Sequence, residues 1–146
     1  MMTSQTPEST QKDATGTIVL YEEITPFARG DKVETRLMVG RRTDPQAPFT
    51  TGTTVFPAGS AAPLHTHNCA EQVTILSGEA EAMVGGEVMT LGALDTSFVP
   101  ANVPHYFRNI GDGPLSILWI YGAREVTRTF TETGETVAHM SPRDQV

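Results

Sequence analysis

The chain has 146 residues, of which 38% are hydrophobic, and a formal net charge of −7 at pH 7 with a pI near 5.0. This length fits one domain around one core. The acidic balance excludes a basic footprint for nucleic acid, and no polybasic cluster indicates binding to anionic lipid. We therefore expect small molecules, and neither nucleic acid nor membrane, as partners.

The sequence has no feature typical of a secreted or membrane-spanning protein. Residues 1–10 lack the basic and apolar stretches of a signal peptide, and no run of about 18 apolar residues occurs. Cys69 is the only cysteine, so no intrachain disulfide can form. We expect a soluble, cytoplasmic protein that is stabilised by packing.

Composition along the chain predicts three segments. Residues 1–15 contain too few apolar side chains to offset the entropy of ordering, which predicts a disordered or partner-draped N-terminal arm. Over residues 16–126, short β-type runs alternate with turn residues and predict a β-barrel domain. Residues 127–146 are interpreted as a C-terminal extension.

The β-type runs predict an all-β fold, because no segment sustains a helical stripe. The predicted strands are Thr17–Thr25, Val33–Gly40, Thr50–Phe56, Gln72–Leu76 and Leu115–Tyr121. The clearest local signal is a hairpin of residues 79–84 and 87–91, because Gly85 and Gly86 accept the positive φ angles of a type I′ turn. Many short strands with prolines at their ends favour a closed antiparallel barrel or a sandwich.

The run Leu115–Tyr121 is apolar on both of its faces. Such a strand is covered on both sides, by the barrel interior and by a second layer. An apposed subunit is the simplest second layer, so we expect a homodimer.

Three histidines and one glutamate have the spacing of ligands to a single divalent metal ion. His65 and His67 are two residues apart, so on a strand both imidazoles point to one face. Glu71 follows after enough chain to return a carboxylate from the next strand, and His105 must arrive through tertiary folding. Because the set contains no sulfur, it suits a first-row ion, and Fe, Mn, Ni, Co, Cu and Zn all stay open.

The same residues resemble the first motif of the cupin family. Gly59, His65, His67, Glu71 and Gly78 are separated by five, one, three and six residues, which reproduces every position of that motif. The two glycines are interpreted as turn residues that set the geometry of the ligands.

The second cupin motif is matched more loosely. Pro100, His105 and Asn109 are kept, but Leu94 and Asn102 stand where the family has glycine. Asparagine tolerates the left-handed conformation better than other residues with a side chain, so we expect the bend before His105 to survive. Leucine at position 94 is the larger departure from the pattern.

The resemblance covers residues 50–122 and implies the cupin fold, a double-stranded β-helix or jelly-roll barrel of two antiparallel sheets that often dimerises. It also implies a range of functions. Cupin sites of this kind serve dioxygenases, decarboxylases, isomerases and lyases, and also modules that only bind or store a ligand. The fold by itself therefore does not give the function.

Four protein ligands on an octahedral ion leave two positions for substrate and for water or dioxygen. We therefore predict a metal-dependent enzyme with dioxygenase-type chemistry on a small enolisable, phenolic or carboxylic compound. Glu71 is the predicted catalytic residue, because a carboxylate that leaves the metal can take a proton from the substrate. The alternatives are a non-redox isomerase, lyase or decarboxylase, and a non-catalytic module that binds or senses a small ligand.

Further side chains are predicted to surround the site. The expected apolar wall of the cavity consists of Leu64, Val73, Ile75, Phe98, Phe107 and Trp119. The arginines that could hold a substrate carboxylate are Arg36, Arg41, Arg42 and Arg108. Strand alternation points Arg108 away from His105, so it is the weakest candidate.

The remaining noticeable residues are expected to be structural. His139 is predicted to lie at the surface, and Cys69 to be a small buried or turn residue. Tyr106 alternates away from His105, which predicts a packing or interface role. The expected fillers of the core or of an interface are Trp119, Met83 and Met89.

Overall fold

The computed structural model describes residues 16–146, so the predicted arm over residues 1–15 lies outside the described residues. The described chain forms twelve β-strands and one short 3-10 helix at Tyr21–Glu23. The strands are β1 (Phe27–Ala28), β2 (Glu34–Val39), β3 (Thr50–Phe56), β4 (His65–His67), β5 (Glu71–Ser77), β6 (Ala80–Val84), β7 (Glu87–Leu91), β8 (Thr96–Val99), β9 (His105–Asn109), β10 (Leu115–Tyr121), β11 (Thr127–Phe130) and β12 (Thr136–Ala138). Within residues 16–146, no helix is long and apolar enough to cross a membrane.

The strands form two six-stranded sheets whose paired strands are antiparallel. The first sheet has the order β1-β2-β3-β10-β5-β8, and the second has the order β12-β11-β4-β9-β6-β7. Strands close in sequence, such as β4 and β5, lie in different sheets, so the chain passes repeatedly between them. This confirms the expected all-β barrel of two antiparallel sheets.

Most predicted strands are confirmed, and the hairpin of β6 and β7 turns through Gly85 and Gly86 with φ angles of 59° and 93°. The strand predicted over Thr17–Thr25 is wrong. Ile18 is 89% exposed, and residues 17–20 pair with no strand among residues 16–146, so their apolar alternation has no described sheet to pack against. The next residue, Tyr21, enters the short helix.

Strand β10 lies in the middle of the first sheet, between β3 and β5. Its alternate residues Leu115, Ile117, Trp119 and Tyr121 are buried in the core, while the residues between them are half-buried on the outer face. The inner layer expected from the sequence is therefore present. The homodimer expected to cover the outer face stays a prediction.

All four turn positions of the two motifs have left-handed backbone. The φ angles are 82° at Gly59, 91° at Gly78, 72° at Leu94 and 67° at Asn102. At Gly78 a Cβ would lie only 2.6 Å from the Pro114 carbonyl oxygen, so glycine is required there for space as well. The expected bend at Asn102 is kept, and its N–H donates to the His67 carbonyl at 2.8 Å.

Leu94 has left-handed backbone although it carries a Cβ, so its replacement tests this turn directly. Leu94 is 75% exposed, so its side chain buries little, while its left-handed backbone costs about 1–2 kcal/mol for a residue with a Cβ. We expect Leu94→Gly to raise the free energy of unfolding by about 1 kcal/mol after the greater entropy of glycine in the unfolded chain is counted. Urea denaturation measures the change.

The control is Leu94→Ala, which removes the same exposed side chain but keeps the Cβ. It should be less stable than Leu94→Gly, because the strain depends on the Cβ. Equal stability of the two variants would contradict the strain at this turn.

The C-terminal residues complete the second sheet. β11 pairs with β4 and with β12, so the sheet continues beyond the strand that carries His65 and His67. The last residue then returns to the barrel, where the Val146 N–H donates to the Arg29 carbonyl at 2.9 Å. The division of the chain at residues 15 and 126 stays a prediction.

Candidate metal centre

Three imidazoles meet inside the barrel. His65 and His67 come from β4 and His105 from the adjacent β9, where it lies directly opposite His65. All three side chains are buried, and their candidate ligand atoms lie within 4.8 Å of one another. The pairing of two strands therefore brings together histidines that are 38–40 residues apart in the chain.

Hydrogen bonds to the backbone orient each of the three rings. In each ring Nδ1 lies at hydrogen-bond distance from a carbonyl oxygen, and the acceptors are Pro63, Thr127 and Val103. Because a carbonyl can only accept, Nδ1 carries the proton and the lone pair of the neutral ring is on Nε2. Three imidazole lone pairs directed into one buried region form a donor set that fits a divalent first-row metal.

Burial keeps at least two of the rings neutral, as metal binding requires. The pKa of His65 is lowered well below its usual value by burial first and by nearby Arg128 second. Burial also lowers the pKa of His67 to about 4, although the Glu71 carboxylate opposes this shift. Both lone pairs are therefore available throughout the neutral pH range.

Glu71 faces the histidines from the opposite sheet. It begins β5, and its Oε1 lies 3.1 Å from His105 Nε2 and 3.5 Å from His67 Nε2. The short connection of residues 68–70 therefore does return a carboxylate to the same place, as its spacing indicated. Its roles as a metal ligand and as a proton acceptor stay predictions.

The cluster lies beside a small cavity of about 40 Å³ that opens to solvent. Phe107 and Trp119 line this cavity, as expected. The other expected wall residues do not line it, since Val73 and Ile75 are buried elsewhere in the core and Leu64 is only half-buried. Phe98 was wrongly assigned, because the alternation of β8 turns it outward and leaves it 67% exposed.

The arginines at the cavity are different from those predicted. Arg41 forms an ion pair with Glu125, and Arg108 pairs at the surface with Glu81 at 2.7 Å. The remaining two candidates also lie outside the lining of the cavity, Arg36 on β2 and Arg42 at an exposed position. None of the four therefore lines the cavity beside the histidines, and Arg108 lies at the surface as strand alternation indicated. A role of these arginines toward a substrate stays a prediction.

Arg29 and Arg128 line the cavity instead, and both are buried. Arg128 lies directly opposite His67 in the pairing of β11 with β4, so the two side chains share a face of the sheet. The sequence contains no local signal for this contact, since residue 128 lies outside both motifs and reaches the site only through strand pairing.

Asp144 holds these two arginines in place. It is fully buried, with its carboxylate oxygens 3.0 Å from Arg29 Nη1 and 2.8 Å from Arg128 Nη1. It also accepts the Met140 N–H at 2.8 Å. Burial alone would raise the pKa of Asp144, but the two guanidinium groups outweigh it and lower the pKa to about 2.

We expect Asp144→Asn to lower the free energy of unfolding by about 3–5 kcal/mol, because it leaves two buried cations without their counter-charge. The folded pKa of Asp144 lies below its ordinary value of 3.8. The charge of Asp144 therefore contributes about 2 kcal/mol to the free energy of unfolding. This contribution is fully present above about pH 4 and is lost as the pH falls through about 2. Denaturation measured across this pH range tests both expectations.

The matched control is Glu135→Gln, which removes the carboxylate from an ion pair with Arg143 on the protein surface. That pair should contribute less than about 1 kcal/mol. A loss in Asp144→Asn no larger than this would contradict the bridging role of Asp144.

His139 is not a surface residue, so that prediction is wrong. Its ring contacts Trp119 and Tyr121 edge-on, with centroid distances of 5.1 and 5.0 Å, and it lines the cavity. Burial, followed by the charge of Arg29, lowers the pKa of His139 to about 3. The prediction failed because residues 127–146 return to the barrel through Asp144. This is a tertiary contact that the local sequence does not show.

Tyr121 was missed as a residue of the site. Its ring lies 4.7 Å from the His67 ring, and its hydroxyl is 3.4 Å from His67 Nε2. The pKa of Tyr121 is raised well above its usual value by burial first and by Glu71 second, so the hydroxyl keeps its proton. Alternation along β10 contained the signal, since it places Tyr121 on the same inner face as Trp119.

The remaining residues that were predicted to be structural do not line the cavity. Cys69 is half-buried, and burial raises its pKa to about 11, which keeps it a thiol at neutral pH. Tyr106 points away from the site, as expected, and donates to Glu81 at 2.6 Å. Met83 is half-buried and Met89 is 56% exposed on the hairpin, so Met89 does not fill the core.

Comparison with known proteins agrees with this architecture. Residues 52–121 match the model of the family described as the cupin domain. The chain is 35% identical over 65 residues to an uncharacterised protein of Methanocaldococcus jannaschii, a match that covers 44% of this chain and 52% of that protein. The chain thus spans about half the length of that relative.

Solved structures resemble the fold over a larger part of the chain. A predicted oxalate decarboxylase from Thermotoga maritima is 26% identical with a TM-score of 0.64, and the match covers 73% of this chain and 98% of that one. A cupin 2 domain-containing protein from Halorhodospira halophila is also 26% identical, with a TM-score of 0.58 and coverage of 62% and 63%. Together with the two-sheet barrel and its histidine cluster, these matches show that the chain belongs to the cupin superfamily.

Proposed function

We propose that this cupin is a metal-dependent enzyme that acts on a small enolisable, phenolic or carboxylic compound, with dioxygenase-type chemistry as the first candidate. The observation that carries the proposal is the buried group of three Nε2 atoms with the Glu71 carboxylate 3.1 Å from one of them. His65, His67 and His105 would hold one divalent ion, with Glu71 as a fourth ligand.

The bound ion would supply Lewis acidity and, if it were redox-active, the means to activate dioxygen. The chain itself supplies the remaining functions. Glu71 Oε1 would accept a proton from a carbon or hydroxyl group of a substrate in the cavity that Glu71 lines. Phe107 and Trp119 exclude water from one side of the site, which strengthens the electrostatic interactions within it.

A second candidate is a non-redox decarboxylase, isomerase or lyase. The likeness to the Thermotoga protein, described as a predicted oxalate decarboxylase, favours it. In this reaction Glu71 would take or return a proton without any oxidant. The same residues serve both candidates, so the metal and the need for dioxygen distinguish them.

The test is a reconstitution of metal-free protein with Fe, Mn, Ni, Co, Cu or Zn under anaerobic conditions, followed by a screen of enolisable, phenolic and carboxylic compounds. Turnover that requires dioxygen and a redox-active metal supports the first candidate. Turnover with zinc and without dioxygen supports the second. Ligand binding without any product after long incubation would instead support the non-catalytic module, and it would overturn the proposal. The cytoplasmic location and the homodimer stay predictions beside it.

A further inference from the structure

Two buried nitrogen atoms at the cavity have no hydrogen-bond partner within residues 16–146. They are Arg128 Nε and His139 Nε2. Burying a polar group without a partner is unfavourable by about 1–3 kcal/mol, and more for a charged group. Both residues line the same cavity as the three imidazoles, and the Arg128 side chain is only 4% exposed. A ligand in this cavity is the natural partner for both atoms.

We infer that Arg128 and His139 form a carboxylate-binding subsite of the cavity, which holds one carboxylate of a small organic acid while the rest of the acid extends toward the three imidazoles. The inference deepens the proposed function, because the role of the bound acid as a substrate rests on that function. Binding of the carboxylate itself depends only on the residues of this chain.

The position of Arg128 supports the second part of this inference. In the register of β11 and β4, Arg128 is the direct partner of His67. Side chains of directly opposed residues in an antiparallel pair lie on one face with Cβ atoms about 5 Å apart. An acid of a few carbon atoms can therefore contact the guanidinium at one end and the histidine cluster at the other.

The guanidinium of Arg128 is held by contacts that leave its Nε unpaired among the described residues. Nη1 donates to Asp144 at 2.8 Å, and the plane lies over the Phe130 ring with Cζ 5.0 Å from its centroid. These contacts restrict rotation of the group, while Nε has no partner. The edge that contains Nε presents two parallel N–H groups, and this is the geometry that binds both oxygens of a carboxylate.

The charges around the subsite also favour an anion. Arg29 and Arg128 share the single carboxylate of Asp144, which leaves an excess of one positive charge in that cluster. Glu71 is the one side-chain carboxylate among the described residues that line the cavity, and it lies beside His67 and His105. A bound divalent ion would add positive charge, so an anionic substrate would complete the balance.

The lining of the cavity selects a carboxylate with a short carbon chain rather than a strongly hydrated inorganic anion. Phe56, Phe107, Ile117 and Trp119 present apolar surface beside the polar end. Hydrocarbon packs favourably on such a wall, whereas phosphate or sulfate would lose water on all sides without compensation. Neutral His139 can add one further hydrogen bond through Nε2.

The experiment follows the Arg128 Nε–H signal by ¹H–¹⁵N NMR while succinate is added to the full chain, both metal-free and loaded with Zn(II). Calorimetry gives the affinity in parallel. We expect a shift of this signal that saturates with the calorimetric Kd, and no shift when the uncharged dimethyl ester of succinate is added. Absence of the succinate-induced shift in both forms of the protein would overturn the inference.

The variant for this test is Arg128→Lys, which keeps the charge beside Asp144 but removes the Nε–H. We expect it to weaken succinate binding by about tenfold or more, with unchanged zinc content. The matched control is Arg143→Lys, which alters an arginine that is paired with Glu135 at the surface and should leave the affinity unchanged. Equal succinate affinity in folded Arg128→Lys and wild type would also overturn the inference.

The two proposals fail in different ways. If the protein bound no metal, the proposed function would fail, while the NMR titration of the metal-free protein would still decide the subsite. If metal bound and substrates were turned over but the Arg128 signal did not move with succinate, only the subsite would fail. If Arg128→Lys did not fold, the wild-type titration would decide by itself.

Discussion

Replacement of His105 by alanine is expected to weaken metal binding by more than about a hundredfold. Loss of a residue that only orients a metal ligand already lowers metal affinity by about 10–100-fold, and loss of the ligand itself should lower it further. His105 comes from β9, whereas His65 and His67 come from β4, so its removal leaves no imidazole on β9 to close the site. Metal analysis of the purified variant should give a stoichiometry close to zero, against about one per chain for wild type.

His65→Ala is expected to have the same effect, because it removes another of the three clustered nitrogen atoms. The control is Thr66→Ala, which changes the residue between the two β4 histidines on the opposite face of the strand. This variant should keep its full metal content. Wild-type stoichiometry in both His105→Ala and His65→Ala would exclude a metal at this site.

Replacement of Glu71 by glutamine is expected to lower kcat by about 10²–10⁴-fold with the substrate that the metal screen identifies, because the amide cannot accept the proton. The three imidazoles stay in place, so metal should still bind, although with lower affinity. Steady-state kinetics and metal analysis on the same preparations separate the two effects.

Glu81→Gln is the matched control for this prediction. Glu81 is likewise a glutamate on a strand, but its side chain accepts hydrogen bonds from Tyr106 and Arg108 on the outside of the barrel. Its replacement should leave kcat unchanged. If Glu71→Gln kept wild-type kcat, proton transfer by Glu71 would be excluded, even if the metal site itself were correct.

Much of the site can be predicted from the sequence because its geometry is local. Alternation along a strand is enough to place His65 and His67 on one face, and a connection of three residues is enough to return Glu71 from the next strand. The turn positions are local as well. Leu94 and Asn102 take the left-handed φ of the glycines that they replace.

Local patterns were insufficient where a contact depends on a strand partner. The alternation over residues 17–25 resembles that of a strand, yet in the part of the chain that the structure describes no strand pairs with residues 17–20. Alternation describes the two faces of a segment but not the presence of a sheet beside it. The same limit applies to Phe98, whose exposed face could not be assigned before the pairing of β8 with β5 was known.

The sequence by itself predicted the barrel class and the four residues of the site. The period of a β-strand places His65 and His67 on one face, and the resemblance to the cupin motifs adds Glu71 and His105. Only the tertiary structure decided which residues line the other end of the cavity. Arg128 reaches His67 through the pairing of β11 with β4, and His139 reaches Tyr121 because the tail returns to the barrel through buried Asp144. Such contacts join residues far apart in the chain, and no local period encodes them.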